Sequence, residues 1–130
     1  MIIDASAIVA LLLREPGWER IADALAGAAH VAIGAPTLTE AAIVLQAKGA
    51  PPNLLPALLQ RAGIEVVPFT QRHALVAADA YAAYGRGRHA ASLNFGDCLA
   101  YAAARLAQAP LLFVGDDFSR TDLEPALEPP

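Results

Sequence analysis

This chain of 130 residues has a single cysteine, Cys98, so no internal disulfide can form and a reducing compartment is expected. Lysine is equally scarce. Lys48 is the only one and the net charge is −4, which argues against a general nucleic-acid binder with a basic face. Long hydrophobic runs are missing too. Mean hydropathy is +0.42, yet uncharged apolar stretches such as Ala5 to Leu13 fall well short of the ~20 residues a membrane span needs. The start, Met1-Ile2-Ile3-Asp4, has no basic region of the secretory type, so the chain reads as cytoplasmic. No stretch reads as a linker, a low-complexity tract or a long repeat, and residues 1–130 are expected to form a single domain.

What is present is a recurring unit: a short apolar run, a turn, and a longer helical pattern. Strands are expected at Met1 to Asp4, His30 to Gly34, Ile64 to Phe69 and Leu111 to Val114. Helices are expected at Ser6 to Arg14, Trp18 to Ala28, Pro36 to Lys48, Asn53 to Arg61, Gln71 to Tyr84 and Gly96 to Gln108. A short final helix is expected near Ser119. Strands that are apolar throughout, alternating with helices, predict a three-layer α/β/α fold with a mainly parallel sheet. Ligands of such sheets sit beyond the carboxyl ends of the strands.

The acids fall at those ends. Asp4 closes an apolar strand, where Asp4 or Ser6 could simply cap the first helix. Glu40 completes Thr37-Leu38-Thr39-Glu40, which fits a capping box opening a helix. Asp97, in Phe95-Gly96-Asp97-Cys98, sits in a helical first turn, where the macrodipole favours an acid. Asp116 and Asp117 follow the last strand, and an Asx-type turn explains one of them more readily than both.

Each acid has a structural explanation taken singly. Brought together on one sheet edge, they would repel one another unless a cation intervened. Oxygen-only donors suit Mg²⁺ or Mn²⁺, which bind through few carboxylates, several waters and substrate phosphates. Such ions activate water for attack on a phosphodiester and invert the sign of the local field, which removes the objection from net charge. Arg86 and Arg88, with His89 in the glycine-flanked loop before Asp97, could hold a phosphate backbone there; a solvated loop is the competing reading.

These residues carry a resemblance. Met1-Ile-Ile-Asp4-Ala-Ser6, Glu40 in Pro-Thr-Leu-Thr-Glu, Leu93-Asn-Phe-Gly-Asp97-Cys and Gly115-Asp116-Asp117-Phe-Ser-Arg-Thr-Asp122 together resemble PIN-domain proteins of the VapC type. The resemblance runs through the whole chain in order. It implies the toxin of a type II toxin–antitoxin module: an endoribonuclease that hydrolyses RNA by metal-activated water, with Mg²⁺ or Mn²⁺ as cofactor. Carried over, Asp4 and Asp97 match the principal metal ligands and Glu40 the third acid. Asp116 and Asp117 can each align with the fourth. Ser6 matches a small hydroxyl residue that holds a carboxylate or phosphate oxygen. The implied partners are an RNA substrate such as a tRNA or rRNA, a VapB-type antitoxin that inserts a C-terminal segment into the active-site groove, often with an arginine toward the carboxylates, and so covers an apolar groove of the first helices, and a second copy in a homodimer. No covalent nucleophile is implied, so Cys98 and Ser92 are bystanders, with Cys98 in the core.

Two rivals are weaker. A phosphatase or phosphoacceptor domain wants a second Asp at position 6 or a late lysine, and the chain has Ser6 and only Lys48. A PIN-like RNA- or protein-binding module without catalysis would not need every acidic position filled.

Overall fold

The computed structural model describes residues 1–128. Four short strands form one sheet in the order β3-β2-β1-β4, with every pairing parallel. They are β1 (Ile2–Ile3), β2 (Ala32–Gly34), β3 (Glu65–Val67) and β4 (Leu111–Leu112). The helices are α1 (Ala5–Leu12), α2 (Trp18–Gly27), α3 (Ala35–Ala47), α4 (Leu54–Ala62), α5 (Gln71–Tyr84) and α6 (Phe95–Ala107). The chain steps from β1 outward to β2 and β3, then returns to place β4 on the far side of β1. A reversal of that kind opens a crevice at the carboxyl ends of the central strands.

The strands are apolar throughout because both faces are covered. Side chains alternate across a strand, and the core divides accordingly. Ile3, Ile33 and Leu112 pack with Ile8, Ile21 and Leu45 on the α1–α4 side. Ile2 and Leu111 pack with Leu93, Tyr101 and Ala104 on the α5–α6 side. The expected three-layer α/β/α arrangement follows, and Cys98 is buried in the second core as its apolar neighbours suggested.

Two local expectations fail. Thr37 and Glu40 do not form a capping box, because α3 starts earlier, from a Gly34 cap with Pro36 in the first turn. Proline lacks an N–H and is pre-set for that position, so Thr37 and Glu40 lie inside the helix. Nor is there a helix at Ser119. Asp117 to Arg120 form a turn in which Ser119 donates N–H and hydroxyl bonds to the Asp116 carbonyl at 3.2 and 2.6 Å. The chain must double back there, since Ala126 N–H donates to the Leu111 carbonyl at 2.8 Å and Leu111 N–H to that of Glu124 at 3.0 Å.

Candidate metal-binding active site

Asp4 leaves β1 in an extended conformation and caps α1, its carboxylate accepting from Ser6 N–H at 3.1 Å and from the Ser6 hydroxyl at 2.5 Å. The same hydroxyl accepts from Val114 N–H at 3.0 Å, so Ser6 ties the end of β1 to the segment after β4. Asp4 is only 5% exposed. Burial pushes its pKa up; the Ser6 hydrogen bonds oppose this, and the charge of Asp117 adds to it. The capping role anticipated for Asp4 is real, and it fixes one oxygen of a buried carboxylate.

Asp97 enters from the N-terminus of α6. Asn94 caps the helix by accepting from Asp97 N–H at 2.9 Å, and Asp97 accepts from Asn94 N–H at 3.0 Å. Those reciprocal bonds hold the Asp97 carboxylate at the mouth of the helix, where amide dipoles converge. Its pKa is nevertheless pushed up to about 6, first by burial and then by Asp117 and Asp4, against the lowering pull of the Asn94 N–H and of Arg86.

Glu40 reaches the same place from the second turn of α3. Its carboxylate lies against Gly96, where an added Cβ would come within 3.0 Å of the Glu40 Cδ. Glycine leaves the carboxylate in that position, and a larger residue would push it aside. Partial burial, then the charges of Asp4 and Asp97, raise the Glu40 pKa. Thr37 lies one turn before Glu40 on the same face of α3, and its hydroxyl is buried without a hydrogen-bond partner among the described residues.

The two C-terminal acids separate. Asp117 acts on both Asp4 and Asp97, whereas Asp116 is not among the charges that act on any of the three other acids. The backbone behind Asp117 is clamped downstream, where Asp122 accepts from the Tyr101 hydroxyl at 2.7 Å and pairs with Arg105 at 3.3 Å. Of the arginines, Arg86 acts on Asp97 directly, while the Arg88 guanidinium lies 5.8 Å from the Tyr81 ring centroid.

Four carboxylates, from β1, α3, α6 and the loop after β4, therefore share one field at the carboxyl edge of the sheet. Such a set favours a counter-cation, and its all-oxygen chemistry suits a hard divalent ion. Among the described residues, no group of three or more His, Cys, Asp or Glu side chains is gathered tightly enough to hold an ion with protein atoms alone. The oxygen donors present would suit an ion that takes one or two carboxylates and completes its shell with water.

Several contributors carried no assigned role in the sequence reading: Gly96, the Tyr101–Asp122–Arg105 clamp, and the Ser6 link to Val114. Gly96 offered a signal, since glycine in a helical first turn costs about 1 kcal/mol against alanine and needs a reason. The other two depend on contacts between distant segments.

The fold and its acidic edge define a class: the chain matches the PIN domain over residues 1–124 and belongs to that family. It is 47% identical to ribonuclease VapC36 of Mycobacterium tuberculosis over 127 residues, 95% of this chain and 91% of the relative. It is 44% identical to ribonuclease VapC28 of the same organism over 131 residues, 98% of each. Within the PIN domains it thus stands among the VapC ribonucleases. The crystal structure of VapC20 from M. tuberculosis, a sarcin-ricin loop cleaving toxin, matches with a TM-score of 0.77 over 98% of each chain at 16% identity. A toxin–antitoxin complex from Klebsiella pneumoniae matches with a TM-score of 0.70 over 93% of this chain and 92% of that one, at 17% identity. Those two likenesses show the shared fold.

Proposed function

We propose that this chain is the toxin of a type II toxin–antitoxin module and cleaves RNA as a Mg²⁺- or Mn²⁺-dependent endoribonuclease. The observation that carries the reading is the gathering of Asp4, Glu40, Asp97 and Asp117 at one sheet edge, where burial first and neighbouring carboxylate charge second drive up the pKa of the first three, in a chain of VapC kind. Asp4 and Asp97 are the metal ligands in this reading, Glu40 the third acid, and Asp117 the fourth in preference to Asp116. A bound ion supplies an activated water and neutralises charge on the phosphate. Ser6 holds the Asp4 carboxylate in one orientation through its hydroxyl. Asn94 does the same for Asp97, and Gly96 lets Glu40 approach. Arg86 receives a phosphate oxygen next to Asp97, and Arg88 supports the same strand from beside Tyr81.

Purified protein should cut total cellular RNA with Mg²⁺ or Mn²⁺ and stop with EDTA; sequencing the new ends would identify the target, a tRNA or rRNA loop in this reading. No divalent-dependent cleavage of any cellular RNA would overturn it.

A VapB-type antitoxin is the expected regulatory partner. An apolar hollow of about 650 Å³ between α1, α2 and α4, walled by Leu11, Leu12, Trp18 and Leu58, is where its segment would lie. The half-buried Trp18, with the Arg14 guanidinium 5.1 Å from its ring centroid, is well placed as an anchor. Among the described residues no helix is long and apolar enough to cross a membrane, and the proposed place of action is the cytoplasm. The homodimer expected of the family is tested by light scattering of the free toxin.

A further inference from the structure

A second concave surface opens beside the acids, on the α5–α6 side. It is a groove of about 800 Å³ with Phe69, Tyr81, Phe95 and Leu99 among its apolar walls, and Arg86 and Asn94 also line it. Its volume lies in the ~300–1,000 Å³ range of pockets that take small organic groups. Phe95 is 78% exposed, the most exposed large apolar side chain among the described residues, although it stands two positions from Asp97. A solvent-facing phenylalanine at the first position of a helix packs little core, so a structural role does not explain it. The rim is basic: Arg86 is close enough to act on Asp97, and Arg88 sits over Tyr81.

We infer that this groove receives an unpaired nucleobase of the RNA next to the scissile phosphate, with Phe95 as its stacking platform. The inference rests on the ribonuclease reading and deepens it. Single-stranded RNA is held by aromatic faces for the bases and guanidinium groups for the phosphates, and both stand here within reach of the carboxylate edge. A second copy of the chain is the other candidate occupant. An RNA strand brings phosphates to the guanidinium groups of Arg86 and Arg88 while its bases meet the aromatic walls, a match to both the charge and the surface of this patch. Charge complementarity therefore favours RNA. In this reading Phe95 sets which loop position is presented for cleavage, and its side chain acts on binding rather than on the bond being broken.

The test uses the full chain carrying Asp97→Asn, so that the probe is not cut, and a fluorescein-labelled RNA hairpin with a mixed-sequence unpaired loop. Each loop position is made abasic in turn. Phe95→Ala should weaken binding about tenfold, and Phe95→Trp should restore it. One abasic position should cost the Phe95-containing protein a similar factor and cost the Phe95→Ala protein nothing. If the penalties of Phe95→Ala and of every abasic position simply multiply, the stacking assignment is wrong. It is equally wrong if Phe95→Ala turns dimers into monomers while RNA affinity stays the same, which would assign the face to a second copy. Cleavage of cellular RNA by the unmutated protein separates the two levels. If cleavage persists while the cycle fails, only the groove assignment falls; if the unmutated protein neither binds nor cuts RNA, the ribonuclease reading falls with it.

Discussion

Helices α5 and α6 begin with the same device and do different work. At α5, Thr70 accepts from His73 N–H at 3.5 Å, and the His73 ring accepts from Thr70 N–H at 3.2 Å. At α6, Asn94 and Asp97 exchange the equivalent pair at 2.9 and 3.0 Å. Both are reciprocal capping boxes that satisfy otherwise orphaned N–H groups. The surroundings differ. Around the α5 cap lies the ring of Phe69, with its centroid 5.3 Å from that of His73. Around the α6 cap lie Asp4, Glu40, Asp117 and Arg86, arriving from other elements. Capping fixes where an N3 side chain points, and the tertiary neighbours decide whether that direction has chemical use.

The sharpest way to break this comparison is Asp97→Asn. An asparagine can still accept from Asn94 N–H, so the cap survives while the charge goes. Divalent-dependent RNA cleavage should fall more than about 100-fold, since losing even an outer partner of a metal ligand reaches 10–100-fold. Without metal at neutral pH, the variant should be at least as stable as the parent, because it removes a carboxylate whose ionisation is disfavoured. Cleavage at the parental rate would make the α6 cap as inert as the α5 cap.

Gly96→Ala tests the neighbour rather than the acid. Alanine improves helix propensity by up to about 1 kcal/mol, yet its Cβ would fall on the Glu40 carboxylate. That carboxylate is the free end of a flexible side chain and can move aside. Stability should therefore hold or rise, while cleavage drops about 10- to 100-fold, the scale of losses from ångström-sized misplacement. Equal activity in the two proteins would show that Glu40 does not need that position.

These contrasts mark how far the sequence reading reached. The α/β order was legible because apolar runs and helical periodicity are local signals, and the six long helices fall close to their expected places. The acids were legible individually, each with a local explanation as good as the functional one. Two of those explanations, at Asp4 and Asp97, prove true, and the side chains are caps and members of the acid cluster together. Thr37 and Glu40 misled because an S/T-x-x-E spacing says nothing about a helix that has already begun at Ala35. That the charge of Asp117, and not of Asp116, acts on Asp4 and Asp97 was beyond reach, since it depends on how the chain turns after β4 to return beside Leu111.

A titration sharpens the comparison with a smaller effect. In the metal-free protein, Asp97 titrates near 6 against 3.8 for an ordinary aspartate, and Asp4 and Glu40 shift in the same direction. The folded state then holds the proton more tightly than the unfolded chain. The stability this confers is complete below about pH 4 and is lost as pH rises through about 6. In EDTA, thermal midpoints should fall as pH rises from about 5 to 7, less steeply in Asp97→Asn. Saturating Mg²⁺ should recover stability near neutrality and add little near pH 5, where protons compete for the same oxygens. A pH-independent midpoint with no response to Mg²⁺ would contradict the shared field.

The smallest effect comes from placing the acid of α6 on α5. His73→Asp rebuilds the same N3 carboxylate beside the Thr70 cap, where the helix dipole favours it by roughly 0.3–1 kcal/mol. Denaturation midpoints should rise by about that amount at low salt and less at high salt, because an exposed charge is screened. Calorimetry in the Asp97→Asn background should find that His73→Asp restores no Mg²⁺ binding. If a capping acid alone made a metal site, the transplanted one would recover it. Among the described residues the contacts at that cap are with Thr70 and the Phe69 ring, so the acid should remain a cap, and the difference between the two helices would be traced to Asp4, Glu40 and Asp117.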